Sequence, residues 1–169
     1  MTVTGFDEII FRQVAVALDE IDVRLLTELQ LDADRPNVEL ARLVGLSPAA
    51  TLHRVRRLKE SGVIRSISAR LDSTTAGFPL QVYVAVTLAR HDEKANRRFE
   101  EAVREIEQII AADWVAGETD VMLMVVARDV ADLQRVYMKL STRGGQRITT
   151  LLRLEELKPA SPLPLAGQP

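Results

Sequence analysis

Four basic side chains, Arg54, Arg56, Arg57 and Lys59, fall within the stretch "RVRRLK" of a chain whose formal net charge is −2. From His53 to Arg70 there are six basic residues and one acid, Glu60, so that segment carries +5 and the remainder −7. A basic patch on an acidic protein suits a polyanion met at one surface; the plain alternative is a solvated helix face. The chemistry such a patch performs is phosphate neutralisation and donation to a guanine edge. Ala49 and Ala50, just before it, are small enough to let the backbone approach a groove floor, and Ser47 and His53 add polar reach. Ser47 is first of all a helix cap, and His53 reads equally as an exposed polar residue. Arg54 can instead tie helix ends together through a carboxylate such as Glu28 or Glu39.

Other chemistries find little support. The chain has no cysteine, which excludes disulfides, thiol nucleophiles and thiolate metal sites. Its two histidines, His53 and His91, lie far apart, so no histidine-rich metal centre is expected, and no cofactor. No apolar run approaches the ~20 residues of a membrane span. The start, "MTVTGFDEII", lacks the basic region of a secretory signal. A cytoplasmic protein is expected.

The basic cluster needs a scaffold, and the first half supplies helical signals. "LDEIDVRLLTELQLD" opens with Asp19 as N-cap, Asp22 three later in a capping box, and Leu18 placed to staple onto Val23. Ile21, Leu25, Leu26 and Leu29 make its apolar stripe, and Pro36 stops it. In "NVELARLVG" Asn37 is the expected cap, Val38, Leu40, Ala41 and Val44 point inward, and Gly45 ends the helix. Ser47 and Pro48 start a third helix that stops at Gly62. Its Thr51, Val55 and Leu58 share one face with Leu52 beside them, while Ala49, Ala50, His53, Arg54 and Arg57 fall away from it and Arg56 lies on a flank. Two helices joined by a tight glycine turn make a helix-turn-helix, with this third helix reading DNA. The alternation in "VIRSISARLD" is expected to form a strand or wing, with Arg65 and Arg70 near phosphates.

The second half alternates differently. "LQVYVAVTLA" places Leu80, Val82, Val84, Val86 and Leu88 on one face of a strand. "HDEKANRRFEEAVREIEQI" carries Ala95, Phe99, Ala102 or Val103, Ile106 and Ile109 at helical spacing. "IAADWVAGETDVMLMVVAR" reads as two strands joined at "GETD". "DVADLQRVYMKLSTRGG" is a helix capped by Asp129 that buries Val130, Leu133, Val136 or Tyr137, and Leu140. "ITTLLRLEEL" is the last strand. The order βαββαβ is ferredoxin-like, an α/β sandwich with helices on one sheet face. "VMLMVVA" is apolar on both faces, so the second face needs cover, most simply from another subunit.

These stretches resemble the leucine-responsive and asparagine-operon regulator (Lrp/AsnC) family, the feast/famine regulators. The likeness rests on "LDEID", "NVELARLVGLSPAATLHRVRRLKESGVI", "GETD" as a Gly-x-x-Asp loop, and "TTLLRLEELK". It implies an α+β protein: a winged helix-turn-helix over 18–67, a linker over 68–79, and a ferredoxin-like effector and oligomerisation domain over 80–158. An N-terminal extension (1–17) and a disordered proline-rich tail (159–169) flank them. The resemblance implies transcriptional regulation of amino-acid-related metabolism on the nucleoid, with double-stranded DNA as partner and a homodimer that assembles to an octamer. It also implies an amino acid or related effector held by Gly117, Glu118, Thr119 and Asp120, with Thr150. Loop amides would hold a carboxylate and Asp120 an ammonium group; the alternative is an ordinary hairpin turn. Thr51 departs from the family's usual aliphatic residue, and its hydroxyl needs a partner such as the Ser47 carbonyl.

Two alternatives stand beside the regulator. One is an enzyme like the tetrapyrrole-modifying decarboxylases that share this layout; His91, Arg143 and Arg147 are its only candidate residues, and no nucleophile–base pair stands out. The other is a metabolite-binding assembly module that no longer touches DNA.

Overall fold

In a computed structural model, residues 16–89 and 92–165 are described. The chain divides into two compact units, one running to Ala69 and resuming at Lys158, the other from Arg70 to Leu157.

The first unit is built on three helices, α1 (Glu20–Leu31), α2 (Asn37–Val44) and α3 (Pro48–Glu60). The Asp19 carboxylate accepts the Asp22 N–H at 2.8 Å and Asp22 accepts the Asp19 N–H at 3.3 Å, a complete capping box. Gly45 takes the left-handed conformation (φ 72°) and Leu46 N–H closes back on the Ala41 carbonyl at 2.9 Å, which turns the chain sharply into α3. Ser47 Oγ accepts the Ala50 N–H at 3.2 Å, with Pro48 in the first turn. Leu25, Leu40 and Val44 are buried together, with Ile21, Leu29, Leu46 and Val55 packed on them. Each such fully buried side chain contributes about 1.5–3 kcal/mol.

Several expectations are corrected here. Asn37 does not cap α2: Pro36 holds the cap position, its carbonyl accepting Glu39 and Leu40 N–H, and the Asn37 amide donates to the Pro48 carbonyl at 2.8 Å. Val38 is exposed, because two residues before Leu40 is about 200° round the helix. Leu52 is exposed too, about 100° round from the buried Thr51. Residues 63–72 form no ladder, so the expected wing strand is absent among the described residues. Alternation supplies a strand's period but not the backbone partner it needs. The tail as far as Leu165 has no regular structure, yet Leu163 N–H donates to Gln30 Oε1 at 2.6 Å, a side-chain amide standing in for a ladder partner. "GFDEIIFRQVAVA", apart from its last residues, and the end of the tail lie outside the described residues.

The second unit runs β1 (Leu80–Leu88), α4 (Glu93–Glu105), β2 (Ile109–Trp114), β3 (Val121–Ala127), α5 (Val130–Thr142) and β4 (Gly145–Leu152), with sheet order β2-β3-β1-β4. All three pairings are antiparallel, and the arrangement is the ferredoxin-like one. The register sets Val82, Val84 and Val86 opposite Val125, Leu123 and Val121, and Phe99, Val136 and Leu140 join them in one core. Asp92 caps α4 through the Ala95 N–H (2.8 Å) and Asp129 caps α5 through the Asp132 N–H (2.7 Å). Tyr83, opposite Met124 on one side and Leu151 on the other, belongs to the face without helices; Tyr83 and Leu151 are exposed there.

Two boundaries and one buried position differ from the sequence reading. Ile109 opens β2 rather than closing α4, since Ile106 already turns extended. Val130 is exposed, lying roughly 100° from the line through Val136 and Leu140. β4 starts at Gly145 and ends at Leu152, opposite Val82 of β1; Leu154 and Leu157 are exposed beyond it.

Candidate nucleic-acid interface and effector loop

The residues of α3 divide by partner. Thr51 and Leu58 are fully buried, and the Thr51 hydroxyl donates to the Ser47 carbonyl at 3.0 Å, the bond its polarity demands. Ala49, Ala50, His53, Arg56 and Arg57 are exposed, Arg54 half-buried, and Ser47 is exposed while serving as cap.

Arg54 and Arg57 are both engaged. Arg54 Nη1 donates to Asp19 Oδ2 at 2.6 Å and to Asp22 Oδ1 at 3.0 Å, and Arg57 Nη2 donates to Asp22 Oδ2. Asp22 is only 1% exposed. The hydrogen bond from Arg54, then the Asp22 amide, holds the Asp19 carboxyl below the usual carboxylate range. The same carboxylates, Asp19 first, raise Arg54 above its ordinary value. Arg54 therefore does tie helices together, but through α1's first turn and not through Glu28 or Glu39. Those two belong to Arg35, whose guanidinium bonds Glu28 and lies 3.9 Å from Glu39. In the sequence Asp19 and Asp22 read as caps; their second role as holders of the α3 arginines has no local signal. Arg56, Lys59 and Arg65 make no ion pair among the described residues. A helix with a capped start, small residues in its first turn and unpaired cations beyond can lie against a phosphate backbone.

The second candidate site is the β2–β3 connection. Gly117 sits at φ 144°, a backbone that other residues rarely adopt. Asp120 Oδ2 accepts the Leu88 N–H at 2.8 Å, and its N–H donates to the Val86 carbonyl at 3.0 Å. Thr87 Oγ1 donates to the Glu118 carbonyl at 3.5 Å and accepts from Arg147 at 3.5 Å. The loop is thus stitched to the end of β1. Thr150 is elsewhere: it lies opposite Val84 on β4, across β1 from β3, and its hydroxyl shares a 2.5 Å hydrogen bond with Tyr137. The single chain does not bring Thr150 to the loop. Neither of two surface cavities, one of about 390 Å³ beside Trp114 and one of about 680 Å³ beside Arg143, is lined by these five residues.

Of the enzyme candidates, His91 lies outside the described residues, Arg143 lies 3.6 Å from Glu105, and Arg147 bonds Thr87. Among the described residues no group of His, Cys, Asp or Glu is placed to hold a metal, and no helix is long and apolar enough to cross a membrane.

The family model for the AsnC-type helix-turn-helix domain matches residues 18–59, and that for the Lrp/AsnC ligand binding domain matches 81–163. The chain belongs to the Lrp/AsnC family. It is a DNA-binding transcriptional regulator of that family, modulated by an effector, and not an enzyme. Among its Lrp/AsnC relatives, the leucine-responsive regulatory protein of Rhizobium meliloti is 36% identical over 150 residues, covering 87% of this chain and 96% of that protein. The transcriptional regulator AldR of Mycolicibacterium smegmatis is 38% identical over 148 residues, 86% of each. A transcriptional regulator of Neisseria meningitidis solved with L-methionine superposes with a TM-score of 0.81 at 30% identity, covering 89% of this chain and 98% of that one.

Proposed function

We propose that this Lrp/AsnC regulator grips double-stranded operator DNA with the solvent face of α3. Ser47, Ala49 and Ala50 approach the groove, His53 and Arg56 reach bases and phosphates, and Arg54 and Arg57 add positive charge while keeping α3 seated. The observation that carries this is the division of labour on α3, with Arg54 and Arg57 held by α1 and Arg56 left unpaired on the open side. The net positive charge of this segment on an acidic chain supports it.

The effector is an amino acid, as the L-methionine bound to the Neisseria relative suggests. Backbone N–H groups around Gly117 receive its carboxylate, Glu118 and Thr119 flank it, and Asp120 accepts from its ammonium group. Thr150 joins from a second copy of the chain, since β1 separates it from the loop within one. The sheet face carrying Tyr83 and Leu151 pairs with a partner's in a homodimer, which assembles further towards an octamer. Effector binding then favours one assembly and so the spacing of the α3 helices. The setting is the cytoplasm, on the nucleoid.

The test is fluorescence anisotropy on DNA from upstream of the protein's own gene against a scrambled duplex, at two salt concentrations and with and without L-methionine or L-leucine. Tighter binding to the upstream DNA, weakening with salt and shifted by an amino acid, supports the reading. Equal binding to both duplexes by a folded oligomer overturns the specific regulator on that DNA. An amino acid that changes neither affinity nor the mass seen by light scattering overturns the effector assignment.

A further inference from the structure

The face that α3 turns to solvent is polar or small except at one place. Leu52 is 50% exposed, whereas the helix's other large apolar residues, Val55 and Leu58, pack inward. Ala49 lies three residues before it and Arg56 four after, on the same strip of helix surface. A lone exposed leucine is ordinary on a protein surface. On a strip that enters a DNA groove, however, its neighbours in the complex are base edges, not water. The apolar group on the major-groove edge of the bases is the thymine C5-methyl.

The polar readers narrow the choice. Arg54 and Arg57, whose guanidinium forks would suit a guanine edge, donate to Asp19 and Asp22. Hydrogen-bonded reading therefore falls to Arg56 and His53, next to Leu52. A leucine set against a guanine, cytosine or adenine edge would strip water from donors and acceptors and offer nothing in return. Against thymine it covers a methyl group. The position discriminates by both effects.

We infer that Leu52 is a specificity-determining residue that reads a thymine methyl in the major groove of the operator. The inference rests on α3 being the reading helix, as proposed above. It goes beyond that reading by naming the base and the group recognised.

The test replaces each thymine of a bound operator in turn by deoxyuridine, which removes the methyl and nothing else. Anisotropy titrations compare the unaltered protein with Leu52→Ala. One thymine per half-site is expected to lose about fourfold in affinity on replacement, the factor for one buried methyl-sized group. Leu52→Ala is expected to bind the thymine and deoxyuridine duplexes equally at that site. The variant removes no core contact and alanine favours a helix, so unchanged far-UV circular dichroism is expected. The scan with unaltered protein also stands without any variant. Specific binding indifferent to every replacement overturns the inference and leaves the α3 reading intact, as does a thymine effect that persists in Leu52→Ala. Binding to the upstream duplex no better than to scrambled DNA overturns specific reading of that DNA by α3 and this inference together.

Discussion

The guanidinium of Arg54 donates to the buried carboxylate of Asp22 at 3.0 Å, joining residues 32 apart in the sequence and fixing α3 to the first turn of α1. Asp22 also accepts from Arg57 and from the Asp19 N–H. Replacing it with asparagine weakens these charge-assisted bonds and leaves two guanidiniums without their shared anion. Asp22→Asn is expected to destabilise by about 2 kcal/mol, measured by urea unfolding followed by far-UV circular dichroism. Arg57→Gln, whose side chain is half in solvent, is expected to cost under about 1 kcal/mol. Equal losses from the two would show that burial of Asp22 does not set the scale.

Acid should loosen the same joint. The Asp19 carboxyl is depressed in the folded state, chiefly by the Arg54 hydrogen bond and next by the Asp22 amide. A depressed carboxyl stabilises the fold fully above its unfolded value, about 3.9, and that contribution is lost as pH falls through the lower folded value. Stability is therefore expected to drop below about pH 4, and Asp19→Asn to flatten that part of the profile. Asp132 acts the same way in the second unit, its carboxyl lowered first by the Arg128 N–H and further by Arg135. An acid limb unchanged by Asp19→Asn would rule out this linkage.

Thr51 gives a contrasting case. It is fully buried, yet the Ser47 carbonyl that receives its hydroxyl also accepts the Thr51 N–H at 3.0 Å. Removing the hydroxyl leaves no orphaned acceptor. Thr51→Val is expected to change stability by less than about 1 kcal/mol, and Thr51→Ala, which opens a cavity, to cost more. Thermal unfolding of both variants decides the matter; a large loss for valine would show the hydroxyl to be necessary.

Salt dependence separates the arginines of α3. Arg56 makes no ion pair among the described residues, so Arg56→Ala is expected to lower the salt slope by about 1 and, as a reader of base edges, to weaken binding to upstream DNA more than to a scrambled duplex. The fold should be unaffected, because alanine is a strong helix former. Arg54→Ala is expected to lower thermal stability as well, since it unties Asp19 and Asp22. Titrations at four salt concentrations, beside melting curves, check both.

What the sequence disclosed was governed by distance along the chain. The Asp19–Asp22 capping box, the left-handed Gly45, the Ser47 cap and the Thr51 hydroxyl all find their partners within about four residues, where residue type and spacing determine the bond. The alternation of β1 from Leu80 to Leu88 also named its buried side, with Val82, Val84, Val86 and Leu88 in the core. The partners of Arg54 and Arg57 lie more than thirty residues away, and nothing in the local pattern ranks Asp22 above Glu28 or Glu39. Val38 reads as inward, and Leu52 as lying beside the buried face, on apolar character, although each stands well off the stripe of its own helix. Thr150 depended on register: "TTLLRLEELK" does not say which β1 residue lies opposite or which neighbour takes the hydroxyl. The missing wing strand has the same origin, a period without a partner.

Trp114, the chain's sole tryptophan, sits on β2 at the rim of the sheet with its indole N–H on Glu100 at 3.2 Å. Both tyrosines, Tyr83 and Tyr137, are in the same unit, while residues 16–69 contain no Phe, Trp or Tyr at all. Indole emission and tyrosine absorbance are therefore natural labels for the effector-binding half alone, because the DNA-binding half has neither tryptophan nor tyrosine. Emission can report the binding of an effector without interference from the helix-turn-helix. Where the emission and far-ultraviolet melting curves part, the two halves are unfolding as separate cooperative units.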